Sequence, residues 1–349
     1  MQEHHYAVVV GINRYVSLGD LQGPVNDAVT FKRWLTDPGG GDLPEKNVIT
    51  VEASTNSEAV DAGSVRPSAD SIFLAFADLN ERIRRSSATS AETREKSRLY
   101  GYLAGHGMAP GGEGCAVLMP SAKRNAVLSH VEVQLLANWY AKSGPFKEVL
   151  LFADCCREWL PVSACGPPFV ELGYPNDRVS VVLGLATEAG ELAWEPSSGS
   201  GALPVRGHFT TALLSGMRTA ADPNGDITVT SLDDYVRQHV QRATDRRQLA
   251  SVRQQHGPPV VLRRIDPKQT YTVRVHFLAD AEALALRDER DAVQEELADA
   301  HGGTLWELSL PSGAYWVGPK DFGRGDPQCA FLVEGRDTDV RYPAGTTAD

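Results

Sequence analysis

The chain has 349 residues, enough for one large domain and a small one, and its 34 basic and 45 acidic side chains give a net charge of −11. It has no sustained Lys/Arg block, which argues against nucleic acid or a membrane surface as a partner. Its apolar runs are strand-sized and its N-terminus lacks the pattern of a signal peptide, so we expect a cytoplasmic protein.

Alternating strand and helix patterns fill the first three quarters of the chain. Apolar runs predict buried strands at 6–12, 47–53, 98–105, 148–153 and 179–187. Apolar residues at helical spacing predict helices at 26–35, 68–85, around 208–218 and from Ser231. A capping box of Ser129 and Glu132 predicts another helix, which stops at Gly144-Pro145. This alternation predicts an α/β fold with a mostly parallel sheet covered by helices on both faces.

The pattern changes after residue 265. Residues 271–277 alternate apolar and polar side chains, as in a strand with one wet face. A charged helix is predicted at about 281–299, and residues 304–317 resemble a hairpin around Pro-Ser-Gly. We therefore expect a domain at 1–265 and a small accessory α+β domain at 266–349, through which a regulatory partner could bind.

The five cysteines are few and carry no metal or disulfide spacing. They stand at positions 115, 155, 156, 165 and 329, an odd number without CxxC spacing or a neighbouring His pair. This pattern argues against a disulfide framework and against a zinc site, so no metal is expected.

Two predicted strands end in reactive side chains. The third ends at His106 and the fourth at the adjacent Cys155 and Cys156. Because functional groups collect at the carboxyl ends of parallel strands, the imidazole and a thiol can face one crevice. His could then take the thiol proton, and the thiolate could attack a carbonyl to give an acyl-enzyme. A lone buried cysteine is more often a packing residue, so a catalytic site is predicted here only because a His and a Cys occur together at the strand ends.

These segments resemble the caspase-like clan of cysteine peptidases, and in particular its bacterial metacaspase-like branch, the orthocaspases. The matching segments, in family order over about residues 6–245, are YAVVVGINRY, GPVNDA, YLAGHG, VLLFADCC, VVLGLATEAGELAWE and GHFTTALLSGM. The resemblance implies a caspase-like fold, His106 as catalytic His and Cys156, rather than Cys155, as nucleophile. It also implies an oxyanion hole made by the backbone N–H groups of Gly107 and Cys156.

The resemblance also implies the specificity. Asp27 and Asp154 match the acids that line the metacaspase pocket for the residue before the scissile bond, and two carboxylates there favour a guanidinium or an ammonium. We therefore predict protein substrates cleaved after Arg or Lys. Taken singly, Asp27 is better explained as a helix-start residue and Asp154 as a strand-end cap; together with the Cys-His pair, the two acids favour the pocket.

Activation is less determined by the sequence. Loops at about 157–178 and 195–206 contain Arg157, Arg178 and Arg206, which such a protease could cut in itself. No cofactor is required by the sequence; many metacaspases need calcium, but residues 222–234 form no complete calcium-binding loop and predict a turn before a helix. Trp194 and Glu195 resemble the edge of a substrate groove, although a structural role is equally plausible.

Two features leave an alternative open. The family's usual His-Ser-Gly after the nucleophile is replaced by Arg157, Glu158 and Trp159, and Pro24 replaces a frequent Cys. A catalytically idle caspase-like interaction module is therefore the alternative to a peptidase, although retention of both His106 and Cys156 argues against it. A nucleotide-binding domain is excluded because no Gly-rich phosphate loop follows the first strand.

Overall fold

The computed structural model describes most of the chain. It covers residues 1–53, 65–89, 91–123, 129–160, 166–170, 179–194, 205–222, 224–266, 269–281, 284–288, 293–297, 300–311, 313–319, 329–333 and 337–342. Two compact units are present, Met1–Leu214 with Thr228–Leu262 and Ser215–Ile227 with Arg263–Asp349.

The elements up to residue 264 alternate much as the sequence predicts. The strands are β1 (His5–Ile12), β2 (Val48–Ala53), β3 (Arg98–Ala104), β4 (Gly107–Pro110), β5 (Ala116–Leu118), β6 (His130–Glu132), β7 (Glu148–Asp154), β8 (Glu158–Leu160), β9 (Ser180–Leu185), β10 (Asp226–Thr228), β11 (Ser251–His256) and β12 (Val261–Arg264). The helices are α1 (Pro24–Thr36), α2 (Ala69–Thr89), α3 (Ala91–Glu95), α4 (Val133–Ser143), α5 (His208–Thr219) and α6 (Val229–Ala243).

The central sheet has six strands in the order β11-β9-β7-β3-β1-β2. All its pairings are parallel except the antiparallel pairing of β11 with β9. This arrangement confirms the predicted mostly parallel α/β fold. In the register of β3 with β7, Ala104 pairs with Asp154, so the residues that follow these two strands leave the sheet at the same edge.

Helices cover both faces of this sheet because neighbouring side chains of a strand point to opposite sides. On one face, Val8 and Leu99 belong to a buried cluster that includes Phe76 of α2 and several residues of α4. On the other face, Phe31 of α1 stacks on Tyr102, with ring centroids 4.5 Å apart. With both faces buried, the edge at the carboxyl ends of the strands is where polar groups can meet a ligand.

A small sheet, β6-β5-β4-β8, lies at this edge of the first unit. Strand β4 begins one residue after His106, and β8 begins two residues after Cys156. The two strands pair in parallel, Met108 opposite Glu158, so the segments that follow the two reactive residues are hydrogen-bonded to each other.

The described residues of the second unit beyond residue 269 form two sheets. Its strands are β13 (Thr270–Phe277), β14 (Leu284–Asp288), β15 (Val293–Leu297), β16 (Leu305–Pro311), β17 (Gly313–Pro319), β18 (Cys329–Val333) and β19 (Thr338–Tyr342). The sheets have the orders β16-β13-β19 and β15-β14-β17-β18. Val275 of the first and Leu286 and Val317 of the second are fully buried in one cluster, so the two sheets share a core.

Three sequence predictions about local structure are wrong. The charged helix at 281–299 is replaced by β14 and β15, which pair antiparallel with each other. The predicted hairpin at 304–317 is two strands of different sheets, since β16 pairs with β13 and β17 with β14 and β18. The N-cap of α4 is Glu132, which accepts the Leu135 N–H, and not Ser129.

None of the helices in the described ranges combines the length and apolarity that crossing a bilayer requires.

Candidate active site

His106 and Cys156 meet at one edge of the central sheet. Each follows one of the adjacent parallel strands β3 and β7, two residues beyond its end. Both side chains are half-buried and line the same two cavities. The structure thus brings together the two residues that the strand-end argument selected.

Gly107 allows this close approach. A Cβ at this position would lie 2.4 Å from the carbonyl oxygen of Cys156 and 2.5 Å from the Sγ of Cys155. Both distances are far shorter than a van der Waals contact, so a side chain here would push the His106 segment away from the Cys156 segment. The Gly after the His therefore has a packing reason, independent of any role in binding an oxyanion.

The Cys156 thiol is hydrogen-bonded to backbone. Its Sγ accepts the N–H of Ala193 at 3.3 Å and lies 3.9 Å from the carbonyl oxygen of the same residue. Burial raises the pKa of this thiol above its ordinary value, and the Ala193 N–H opposes the shift only in part. The thiol is therefore protonated at neutral pH, and a base is needed to make it a nucleophile.

The His106 ring is oriented by two neighbours. Its Nε2 lies 2.7 Å from the carbonyl oxygen of Gly19, which can only accept, so Nε2 carries the proton in this contact. The Tyr15 ring meets the imidazole edge-on at 4.7 Å, and its hydroxyl accepts the His106 backbone N–H at 2.7 Å. When the ring is neutral, the lone pair is on the remaining nitrogen, Nδ1, which is then the one able to act as a base.

Cys155 has a different environment from its neighbour. It is 2% exposed, and its Sγ lies 3.7 Å from the Sγ of Cys115. The hydrogen bond to Cys115, followed by burial, raises the pKa of the Cys155 thiol well above its usual range. This thiol stays protonated and faces the core, as expected of a packing residue.

Asp27 and Asp154 lie together in one of the two cavities. The Oδ2 of Asp27 accepts the Gly207 N–H at 2.8 Å, and the Oδ2 of Asp154 accepts the N–H and hydroxyl of Thr210 at 3.2 and 2.6 Å. A Cβ on Gly207 would lie 2.5 Å from Asp154 Oδ2 and 3.2 Å from Asp27 Oδ2. Both acids therefore border the same small volume, 2% and 8% exposed, respectively.

This first cavity has a volume of about 240 Å³ and reaches from the two carboxylates to Cys156 and His106. The buried acids also act on Tyr102, whose pKa is raised well above its usual value by burial first and then by both carboxylates. A cavity with two buried carboxylates and one thiol suits a substrate with a cationic group.

A family model for the caspase domain matches residues 4–260, most of the chain and all of the active-site residues named above. This chain belongs to the caspase-domain family. Its relationship to cysteine peptidases therefore no longer depends on short motifs.

The individual proteins that resemble this chain are only distantly similar to it. A probable protease of a Desulfuromonadales bacterium is 26% identical over 231 residues, 61% of this chain and 26% of that protein. The chain therefore spans about a quarter of that relative's length. A solved structure of a Geobacter sulfurreducens protein aligns with 75% of this chain and 97% of its own chain, at 13% sequence identity and a TM-score of 0.43.

The residue after the thiol has a structural role in this caspase domain. The buried Arg157 guanidinium donates from Nε to the Gly114 carbonyl at 3.0 Å, from Nη1 to the Thr187 carbonyl at 3.1 Å, and from Nη2 to the Glu113 carbonyl. It thereby joins the β4–β5 turn to the segment after β9. A cleavage site must be extended and accessible, so self-cleavage at Arg157 would require release of these contacts, and it stays a prediction.

The segment 186–194, which carries the Ala193 contact to the thiol, is fixed by a buried amide. Gln248 is fully buried; its Oε1 accepts the Trp194 N–H and its Nε2 donates to the Ala186 carbonyl, both at 2.9 Å. Arg247 lies 4.6 Å from the Trp194 ring centroid. Trp194 borders the acidic cavity, whereas Glu195, Cys165 and Arg178 lie outside the described residues.

Several site residues of this caspase domain were not found from the sequence. The Gly19 and Ala193 contacts are made by backbone atoms, which every residue has, so no side-chain signal marks them. Thr210 and Gly207 lie in the segment GHFTT, which contributed only to the resemblance. A Gly just before the predicted helix and a Thr in its first turn were the available signal for partners of the two acids.

Proposed function

We propose that this caspase domain is a cysteine endopeptidase of the metacaspase-like branch that cleaves proteins after Arg or Lys. The observation that carries the proposal is the Cys156 thiol on the same two cavities as a His106 ring whose Nε2 is held by a backbone carbonyl. A protonated thiol needs a base, and an imidazole with its other nitrogen occupied supplies one at Nδ1.

The reaction would proceed in two halves. The thiol turns from Ala193 toward His106, Nδ1 takes its proton, and Sγ bonds to the substrate carbonyl carbon. The backbone N–H groups of Gly107 and Cys156 would hold the oxyanion. The C–N bond then breaks, and the imidazolium gives its proton to the leaving amine. In the second half, His106 takes a proton from water, the water oxygen attacks the thioester, and the Cys156 thiol is released.

The acidic cavity supports the preference for Arg or Lys. Asp27 and Asp154, which accept hydrogen bonds from Gly207 and Thr210, line the same cavity as Cys156. A guanidinium could meet two carboxylates at once, while an acidic side chain there would be repelled. We expect Asp154→Asn to lower kcat/KM for an Arg peptide roughly tenfold to hundredfold, since hydrogen bonds to charged groups contribute about 1.5–3 kcal/mol.

Processing and context are parts of the same proposal. Self-cleavage after Arg206 would require release of two hydrogen bonds, one donated by Asn26 Nδ2 to the Val205 carbonyl and one donated by the Gly207 N–H to Asp27 Oδ2. We propose that the enzyme requires no cofactor, and calcium is a variable to test. We also propose that it acts on protein substrates in the cytoplasm. A regulatory partner of the second unit belongs to the proposal as well.

The test uses fluorogenic peptides that differ only in Arg, Lys or Asp before the scissile bond, with and without calcium. The full chain is compared with Cys156→Ala, Cys155→Ala and His106→Ala, and with Asp78→Asn, an exposed acid on α2, as the control for Asp154→Asn. Hydrolysis of Arg and Lys peptides that is lost with Cys156→Ala and His106→Ala but kept with Cys155→Ala is the expected result. No hydrolysis under any condition would favour the idle interaction module.

A further inference from the structure

A second cavity opens on the other side of the thiol. It has a volume of about 290 Å³ and shares only His106 and Cys156 with the cavity that holds Asp27 and Asp154. Gly107 lies at its wall. The reactive sulfur therefore lies between an acidic cavity and this second one.

The second cavity is lined by four leucines from four separate segments. Leu18 precedes α1, Leu118 ends β5, Leu160 ends β8 and Leu192 follows β9. Leu118 is buried, whereas Leu192 is 43% exposed. Apolar side chains that converge from distant parts of the chain and stay partly in water leave surface for an apolar ligand group to cover.

The position of this leucine cavity defines what could occupy it. In the proposed reaction the residue before the scissile bond fills the acidic cavity, and the carbonyl carbon bonds to Cys156. The next residue belongs to the leaving amine, which takes its proton from His106. It must pass over these two shared residues and away from the acids, which leads into the leucine cavity.

We propose that the leucine cavity binds the residue after the scissile bond and selects a large aliphatic side chain, Leu or Met, there. This inference rests on the proposed function and adds a second specificity element to it. Glu158, the one acidic residue among the described residues of the wall, disfavours Asp or Glu in the same position because like charges repel each other. The cleaved sequence is then a basic residue followed by an aliphatic one.

The test uses internally quenched peptides with Arg before the scissile bond and Leu, Met, Gly or Asp after it. We expect kcat/KM to be roughly tenfold higher for Leu than for Gly, as for a few methylenes placed in an apolar pocket. Leu192→Ser should reduce this ratio severalfold, and Glu158→Gln should raise the rate for Asp relative to Gly. Leu74→Ser, a 68% exposed leucine on α2, is the matched control and should leave the ratio unchanged.

A binding measurement separates this inference from the proposed function. Fluorescence anisotropy of the labelled Leu and Gly peptides with the Cys156→Ala variant should show tighter binding of the Leu peptide. The same preference without hydrolysis by the wild type would uphold the leucine cavity and overturn the peptidase proposal. Equal hydrolysis and equal binding of the two peptides would overturn the leucine cavity alone, and the absence of both hydrolysis and any binding preference would overturn both.

Discussion

Replacement of Arg157 by Met tests whether this guanidinium holds the active site together. Met keeps much of the length and apolar volume of the side chain but has no donor. The carbonyls of Glu113, Gly114 and Thr187 would lose the hydrogen bonds that now join the β4–β5 turn to the segment after β9. The change therefore removes one link between two segments that lie beside the Cys156 thiol.

The size of the effect follows from the three lost bonds. A buried acceptor that loses its donor costs about 1–3 kcal/mol. Removal of a buried charge offsets part of this, because the guanidinium no longer has to be desolvated. We expect the variant to lose about 3 kcal/mol of unfolding free energy, which for a domain of this size lowers Tm by about 9 °C.

The assay is thermal unfolding followed by tryptophan fluorescence, together with alkylation of Cys156 by iodoacetamide. Arg157→Lys keeps the charge without the planar fork and should lose about half as much stability. Arg85→Met, at a 76% exposed position on α2, is the control and should change Tm little. An Arg157→Met protein with the Tm and alkylation rate of the wild type would refute the reasoning.

Three further predictions test single residues. Burial lowers the pKa of His5 to about 3, so below pH 6.5 the unfolded chain binds a proton that the folded chain does not. Stability is then lost as pH falls, by about 2 kcal/mol at pH 5, and urea unfolding of His5→Gln should lack this loss while the exposed His256→Gln keeps it. Gly107→Ala should cost about 1–3 kcal/mol in urea unfolding and abolish hydrolysis; normal hydrolysis would contradict the packing argument. Because burial raises the pKa of Cys156, its alkylation, followed by peptide mass mapping, should keep increasing above pH 8.5, and a plateau near pH 7 would contradict this assignment.

The central sheet could be predicted because its strands are buried on both faces. Such strands have continuous apolar runs, and residues 6–12 and 148–153 show them clearly. Parallel pairing then follows from the helices between them, and it places His106 and Cys156 at one edge. This part of the site was predictable because it depends on side chains and strand order alone.

The second unit was harder to predict because local preference and tertiary pairing disagree there. Residues 284–297, LALRDERDAVQEEL, contain many helix-favouring Ala, Leu, Glu and Arg residues. Yet Leu284 and Leu286 lie in the core shared by the two sheets, and Ala285 between them is also buried. Pairing of β14 with both β15 and β17 decides the outcome, and a single sequence does not display that partner.

The residues that argued for an idle module gain a structural explanation from β8. Arg157 links the two loops beside the thiol, Glu158 pairs with Met108 of β4, and Trp159 lies over Gly112, where a Cβ would be 3.2 Å from its ring. The residues that replace His-Ser-Gly thus make structural contacts of their own, and Glu158 lines the leucine cavity. Since each of these three residues makes structural contacts in this fold, their departure from His-Ser-Gly does not by itself favour the idle module.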